Sequence, residues 1–125
     1  MKPLIFVADS HRALLEFPKA VQQQVGFALY QAQMGGKHIE AKPLKNVGAG
    51  VLEVVSDHRG DTFRTVYTVK LEKAVYVLHA FQKKSKHGIA TPKSVMDLVK
   101  QRLERAIEHP FTVHPQYPAR VLPRA

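Results

Sequence analysis

Three closely spaced runs decide the fold: Val51-Leu52-Glu53-Val54-Val55-Ser56-Asp57, Thr62-Phe63-Arg64-Thr65-Val66-Tyr67-Thr68-Val69-Lys70 and Ala74-Val75-Tyr76-Val77-Leu78-His79-Ala80-Phe81. Val, Thr, Tyr and Phe dominate them, residue types that pack well on a pleated, half-buried surface. Their links are His58-Arg59-Gly60-Asp61 and a turn around Leu71-Glu72-Lys73, both of hairpin size. The spacing predicts three antiparallel strands in succession.

Upstream, residues 3–8 form a short apolar run that reads as an edge strand, closed by Asp9-Ser10 as a helix N-cap. A short helix follows with Leu14, Leu15 and Phe17 inward. Pro18 then suits the first turn of a second helix. That helix carries Val21, Val25, Ala28, Leu29 and Ala32 on one stripe and ends at Gly35-Gly36. Residues 37–49 read as connector, with Pro43, Asn46, Gly48 and Gly50 as turn residues.

Downstream, Thr91 as N-cap and Pro92 at the first position open a last helix, and Pro110 stops it. Val95, Leu98, Val99, Leu103 and Ile107 give it an apolar face, with Lys100, Arg102 and Arg105 around the remainder. Four prolines make the segment after it too proline-rich to pack as an element. The order β-α-α-β-β-β-α implies an α+β domain with helices against a small twisted sheet. A single domain over residues 1–108 and a proline-rich tail over 109–125 are expected.

Composition agrees with one folded domain. The chain has 125 residues, 45% of them hydrophobic and 23% charged. With no cysteine, thiolate metal sites and cysteine nucleophiles are excluded. The N-terminal apolar run is too short for a secretory signal, so the cytoplasm is the expected compartment. Net charge is +9, a surface that attracts polyanions, nucleic acid first. The excess is uneven: residues 1–81 hold ten basic and seven acidic side chains, residues 82–125 nine and three.

Two features carry candidate chemistry. Phe81-Gln82-Lys83-Lys84-Ser85-Lys86-His87-Gly88 gathers three ammonium groups and an imidazole beside a strand end. Such a cluster can contact consecutive phosphates or, because crowded cations depress one another's pKa, supply a general base; as a bare pattern it reads first as a solvated turn or simple charge steering. Arg64 lies in mid-strand with Val66 and Thr68 on its face. It needs an anion there, either Glu53 or Asp57 from the neighbouring strand or a phosphate held bidentately in a cleft. His79, with Val77 and Phe81 on its face, reads as a core histidine. His58 beside Asp57 is a candidate for phosphate contact or proton transfer. The seven histidines come with no metal-binding spacing, and neither a metal nor a cofactor is expected. The aromatic residues read as core, without a base-stacking platform.

Gly50-Val51-Leu52-Glu53-Val54-Val55, Asp61-Thr62-Phe63-Arg64-Thr65-Val66-Tyr67, Val75 through Lys86 and Thr91-Pro92-Lys93 together resemble the phage-derived, HigB-like branch of the RelE/ParE toxin superfamily. The shared pattern is an Arg-x-x-Tyr strand, a strand ending in His-x-Phe-x-Lys-Lys, and a Thr-Pro opening the last helix. The resemblance covers about residues 3–108. It implies a RelE-like fold and the toxin of a type II toxin–antitoxin pair, a metal-independent endonuclease that cuts mRNA on the ribosome. In that chemistry the ribose 2′-OH attacks the adjacent phosphate and leaves a cyclic phosphate. Lys83, Lys84, Lys86 or His87 would act as base or acid and Arg64 as phosphate clamp. His58, Arg59, Lys93 and Lys100 would contact RNA. The implied partner is a helix-turn-helix antitoxin that covers the cleft or offers carboxylates to the basic cluster. The alternative is a ParE-like, non-enzymatic inhibitor of DNA gyrase with the same fold. The sequence departs from the pattern at Glu53-Val54-Val55, where many relatives have an arginine, and near the chain end, where only Tyr117 offers an aromatic ring.

Overall fold

Antiparallel pairing of the three central runs organises the computed structural model, which describes residues 1–83 and 92–108 and the backbone of 115–117. In chain order the elements are β1 (Leu4–Phe6), α1 (Ser10–Leu15), α2 (Lys19–Gln33), β2 (Ala41–Pro43), β3 (Val51–His58), β4 (Asp61–Thr68), β5 (Val75–Lys83), α3 (Lys93–Glu108) and β6 (Pro115–Tyr117). Among the described residues they form one mixed sheet in the order β2-β3-β4-β5-β1-β6 with three helices, an α+β domain. No helix among the described residues is long and apolar enough to cross a membrane.

The β3–β4–β5 meander is antiparallel throughout, as the three runs predict. The β3–β4 connection is a two-residue turn, Arg59-Gly60, with φ of +51° and +85°. Positive φ at both positions matches the right-handed twist of the flanking strands, although Arg59 pays for it with steric strain. Gly50 enters β3 at φ +79°, and a Cβ there would sit 3.0 Å from the Lys70 Cβ.

Three features differ from the sequence reading. β1 is not an edge strand: it pairs in parallel with β5, Leu4 opposite Val75, and antiparallel with β6 on its other side. Part of the proline-rich tail therefore does form an element, because Pro115–Tyr117 needs only a short edge pairing. The connector hides β2, which pairs with β3 through Ala41–Val54, Lys42–Glu53 and Pro43–Leu52. Leu15 is exposed rather than inward, while Leu14 and Phe17 are buried, since so short a helix turns only one narrow face to the sheet.

Two apolar clusters lie on the two faces of the sheet. On one, Leu14, Val21, Val25, Ala28, Leu29 and Ala32 from α1 and α2 meet Phe6, Phe63, Tyr67, Val75 and Val77. On the other, Val99, Leu103 and Ala106 of α3 meet Ile5, Val7, Val66, Tyr76 and Leu78. The α3 face is narrower than the sequence suggested: Leu98 is half-buried and Ile107 exposed, while Ala106 is buried. A register shift between Val66 and Tyr67 changes the phase of β5. Val77 thereby packs with α1 and α2, whereas His79 and Phe81 turn to the α3 side. The expectation that Val77 shares a face with His79 is corrected by this bulge, which re-aims side chains on one side of it.

Candidate functional site

The α3 face of the sheet carries, beside its apolar cluster, rows that include the polar side chains of β3, β4 and β5. Residues directly opposite one another in an antiparallel pair share a face. Register therefore lines up Asp57, Thr62 and Lys83 in one row, Val55, Arg64 and Phe81 in the next, and Glu53, Val66 and His79 in a third. Between these rows, β2 with the turn after it, and the start of α3 lies an open cleft of about 810 Å³. Lys42, Lys45, Arg64, Lys93 and Lys100 line it, as do Glu40, Glu53, Asp57 and Asp97. Cations and carboxylates are nearly balanced along its walls.

Arg64 reaches the cleft from β4. Its Nη1 donates to Glu53 Oε1 at 2.6 Å, and both side chains are largely buried. Of the two anions considered from sequence, Glu53 is the partner; Asp57 instead accepts from Thr62 Oγ1 at 2.9 Å. A short, charge-assisted contact of this kind fixes the guanidinium in place. Arg64 Nε is buried without a hydrogen-bond partner among the described residues. The guanidinium therefore keeps unused donor capacity beside the cleft.

Lys83 lies diagonally from Arg64, one row along the same face. Diagonal neighbours sit roughly 7–8 Å apart at the backbone, within reach of long side chains. The Lys83 side chain is buried, and its Nζ has no hydrogen-bond partner among the described residues. Burial, reinforced by the charge of Arg64, holds its ammonium below the usual lysine range, while Glu53 acts in the opposite direction. A lysine so placed is neutral more often than an exposed one, which is what a general base requires.

The other expected residues divide by position. Lys93 and Lys100 line the cleft with Arg64; Lys93 Nζ also meets Asp97 at 3.3 Å on the exposed rim. His58 and Arg59 lie at the β3–β4 turn and line no part of the cleft. Lys84, Lys86, His87 and Thr91 lie outside the described residues, as do most of the tail's positions.

A second polar network was not anticipated. Arg102 donates from Nη1 to the Leu78 carbonyl at 2.9 Å and from Nη2 to Asp9 Oδ1 at 2.8 Å. Its Nη1 also stands 3.2 Å from His79 Nδ1. A guanidinium only donates, so Nδ1 is the acceptor and the neutral ring carries its proton on Nε2. The His79 ring stacks on Phe81, centroids 5.1 Å apart. Burial and then the Arg102 charge hold the imidazole below its usual pKa, against a smaller opposing pull from Asp9. Burial alone would raise the Asp9 carboxyl, but the hydrogen bond and charge of Arg102 keep it below the ordinary carboxylate range. Asp9 therefore serves α3 and makes no side-chain cap on α1. The signal in the sequence was the position of Arg102, three residues after Val99 and four before Ala106, on the buried side of α3. Lys42 and Lys45 were missed because a three-residue strand containing proline leaves no periodicity to read.

Tyr67 belongs to the opposite face, where burial pushes its hydroxyl up to about 12 and removes it from acid–base work near neutrality. Among the described residues no group of three or more His, Asp or Glu side chains is placed to hold a metal ion.

A small α+β domain with a charged cleft on one sheet face, lined by an arginine and with a buried lysine one row away, is a class of architecture that by itself defines no single activity. The family comparison narrows it: residues 12–104 match the family described as Phage derived protein Gp49-like (DUF891). The chain belongs to this family, a phage-derived, RelE-like toxin family. No curated protein and no solved structure matches it.

Proposed function

We propose that the chain is the toxin of a type II toxin–antitoxin pair, of the HigB-like branch, and acts as a ribosome-dependent mRNA endonuclease. Family membership supports the toxin role, and such a toxin implies an antitoxin partner. The observation that carries the nuclease reading is Lys83: a buried ammonium without a hydrogen-bond partner among the described residues, held below the usual lysine range, one row from a cleft-lining arginine.

In this reading Lys83 takes the proton from a ribose 2′-OH, and the oxygen attacks the adjacent phosphorus in line. Arg64 holds the phosphate and meets the extra negative charge of the phosphorane. Lys93 and Lys100 hold flanking phosphates. The P–O5′ bond breaks, a 2′,3′-cyclic phosphate remains, and the leaving oxygen takes a proton from Lys84, Lys86 or His87. An incoming phosphate competes with Glu53 for Arg64, so productive binding loosens that pair. Contacts with ribosomal RNA, made mostly through phosphates, supply the remaining positioning.

Induced expression followed by mapping of transcript 5′ ends tests the proposal. Growth arrest with new 5′ ends is expected, both relieved by Arg64→Ala in a protein that remains folded. A second reading, gyrase inhibition without cleavage, draws on the closed Arg64–Glu53 pair and the near-balanced charge of the cleft. It predicts a DNA-damage response with intact transcripts.

A further inference from the structure

Helix α3 holds the sheet through a small apolar footprint. It buries Val99, Leu103 and Ala106, where α2 buries seven residues. Its Lys93, Met96, Asp97 and Lys100 form one wall of the cleft. With so little apolar area in contact, polar ties weigh heavily in how the helix is seated. Arg102, its side chain only 12% exposed, supplies three of them: to the Leu78 carbonyl, to Asp9 Oδ1 and to His79 Nδ1. A backbone carbonyl stays an acceptor at any ordinary pH, and so does Asp9, whose carboxyl is held below the usual carboxylate range. The imidazole differs: Nδ1 accepts only while it carries no proton.

Arg102 faces the His79 ring from α3 and Asp9 from the β1–α1 junction, and these are the charges that act on it. On β4 its cross-strand neighbour is the apolar Val66, with Arg64 diagonally beyond. β3 adds Glu53 in the same row, and β5 itself carries Phe81, stacked on the ring, and Lys83 further along the face. Protonation puts an N–H on Nδ1 that points at a guanidinium 3.2 Å away, so an attractive contact becomes an opposition of two cations. Asp9, which favours the charged ring, is then shared between His79 and Arg102. Both changes loosen the hold of Arg102.

We infer that His79 is a proton-operated latch on α3: the neutral ring holds Arg102 and seats the helix against the sheet, and the protonated ring releases it and with it the α3 wall of the cleft. The latch goes beyond the nuclease reading and needs no RNA. Burial and Arg102 disfavour the charged ring while α3 is seated, so the unseated state binds the proton more readily. Between the lowered pKa of the seated ring and the ordinary 6.5, each unit of falling pH therefore raises the unseating constant by up to about tenfold. His11 is also held low by burial, but it meets the Phe6 ring at 4.4 Å in the opposite apolar layer, so its proton acts on α1 instead.

Amide hydrogen exchange of the whole chain, read by NMR between about pH 7.5 and 5 and corrected for the intrinsic pH dependence of exchange, tests the latch over the range in which histidine titrates. The ring signals of His79 give its own titration in the same samples. Protection of α3 amides should fall as His79 takes up its proton, by up to about tenfold per unit, while amides of β3, β4 and β5 keep theirs. His79→Asn offers Arg102 a neutral acceptor that does not titrate, so its α3 protection should stay level. Level α3 protection in the wild type overturns the inference, whether or not the ring titrates, and so does the same fall in His79→Asn. A fall shared equally by the sheet is acid unfolding of the whole domain and overturns it too. Should His79→Asn not fold, the wild type decides alone, because α3 exchange is set against the ring's own titration curve. A chain without nuclease activity that still shows the His79-linked fall separates failure of the nuclease reading from failure of the latch.

Discussion

Glu53→Gln separates what the Arg64–Glu53 pair contributes to the fold from what it denies to a ligand. The contact is 2.6 Å long between largely buried side chains. The amide retains a neutral acceptor for Arg64 and removes the charge assistance. Hydrogen bonds to charged groups contribute about 1.5–3 kcal/mol, which bounds the loss of stability. For a domain of this size that lowers the melting temperature by roughly 5–15 °C. Binding of a polyanion should move the other way. A carboxylate about 5 Å from a bound phosphate opposes it by about 1–2 kcal/mol in a partly solvated cleft, a factor of roughly 5 to 30 in affinity. Thermal melts read the first quantity, and fluorescence anisotropy with a short single-stranded RNA, repeated over a salt series, reads the second. Glu53→Gln should bind more tightly, and Arg64→Ala should reduce the salt slope by about 0.7, the value for one phosphate on a single strand. A destabilised Glu53→Gln with unchanged affinity, together with an unchanged slope for Arg64→Ala, would refute the assignment of Arg64 as a phosphate clamp.

Lys83→Met should be neutral or stabilising at pH 7, because it removes a buried charge with no described partner. In the wild type the folded pKa lies below the unfolded value, so stability should rise as pH climbs from the folded pKa to the ordinary lysine value of 10.5. Denaturant melts across alkaline pH should show that rise in the wild type and lose it in the variant. Arg102→Met should cost about 1–3 kcal/mol by leaving the Leu78 carbonyl and Asp9 without their donor. NMR titration should then find Asp9 and His79 both shifted upward, since each loses a neighbouring cation that had lowered it. Arg59→Asn should raise stability by about 0.5–1 kcal/mol, because Asn tolerates the positive φ of the β3–β4 turn at lower steric cost. If Arg59 contacts RNA, the same variant binds less tightly, and thermal melts beside anisotropy check both directions.

The legible part of this fold was local. Alternation and β-branched residues placed β3, β4 and β5, and the stripe from Val21 to Ala32 placed α2 and its inward face. The missing part depended on distant pairing. Nothing in residues 3–8 says that Leu4 stands beside Val75 in parallel, and Ala41–Pro43 is too short to show a period. The bulge at Val66/Tyr67 defeated the facing of β5, because a single inserted residue reverses every later side chain. Sequence placed Arg64 and Lys83 as candidates, yet the Arg64–Glu53 pairing was only one of two open alternatives until register brought the strands together. Asp9 read as a helix cap because Asp before a helix usually is one. Its actual partner, Arg102, lies 93 residues away.

The most direct measurement of the proposed chemistry is the 3′-end structure of fragments from programmed ribosomes treated with the wild type and with Lys83→Met. The account predicts 2′,3′-cyclic phosphate ends from the wild type and loss of cleavage in a Lys83→Met protein that melts normally. Fragments ending in 3′-hydroxyls, or cleavage undiminished by Lys83→Met, would contradict it.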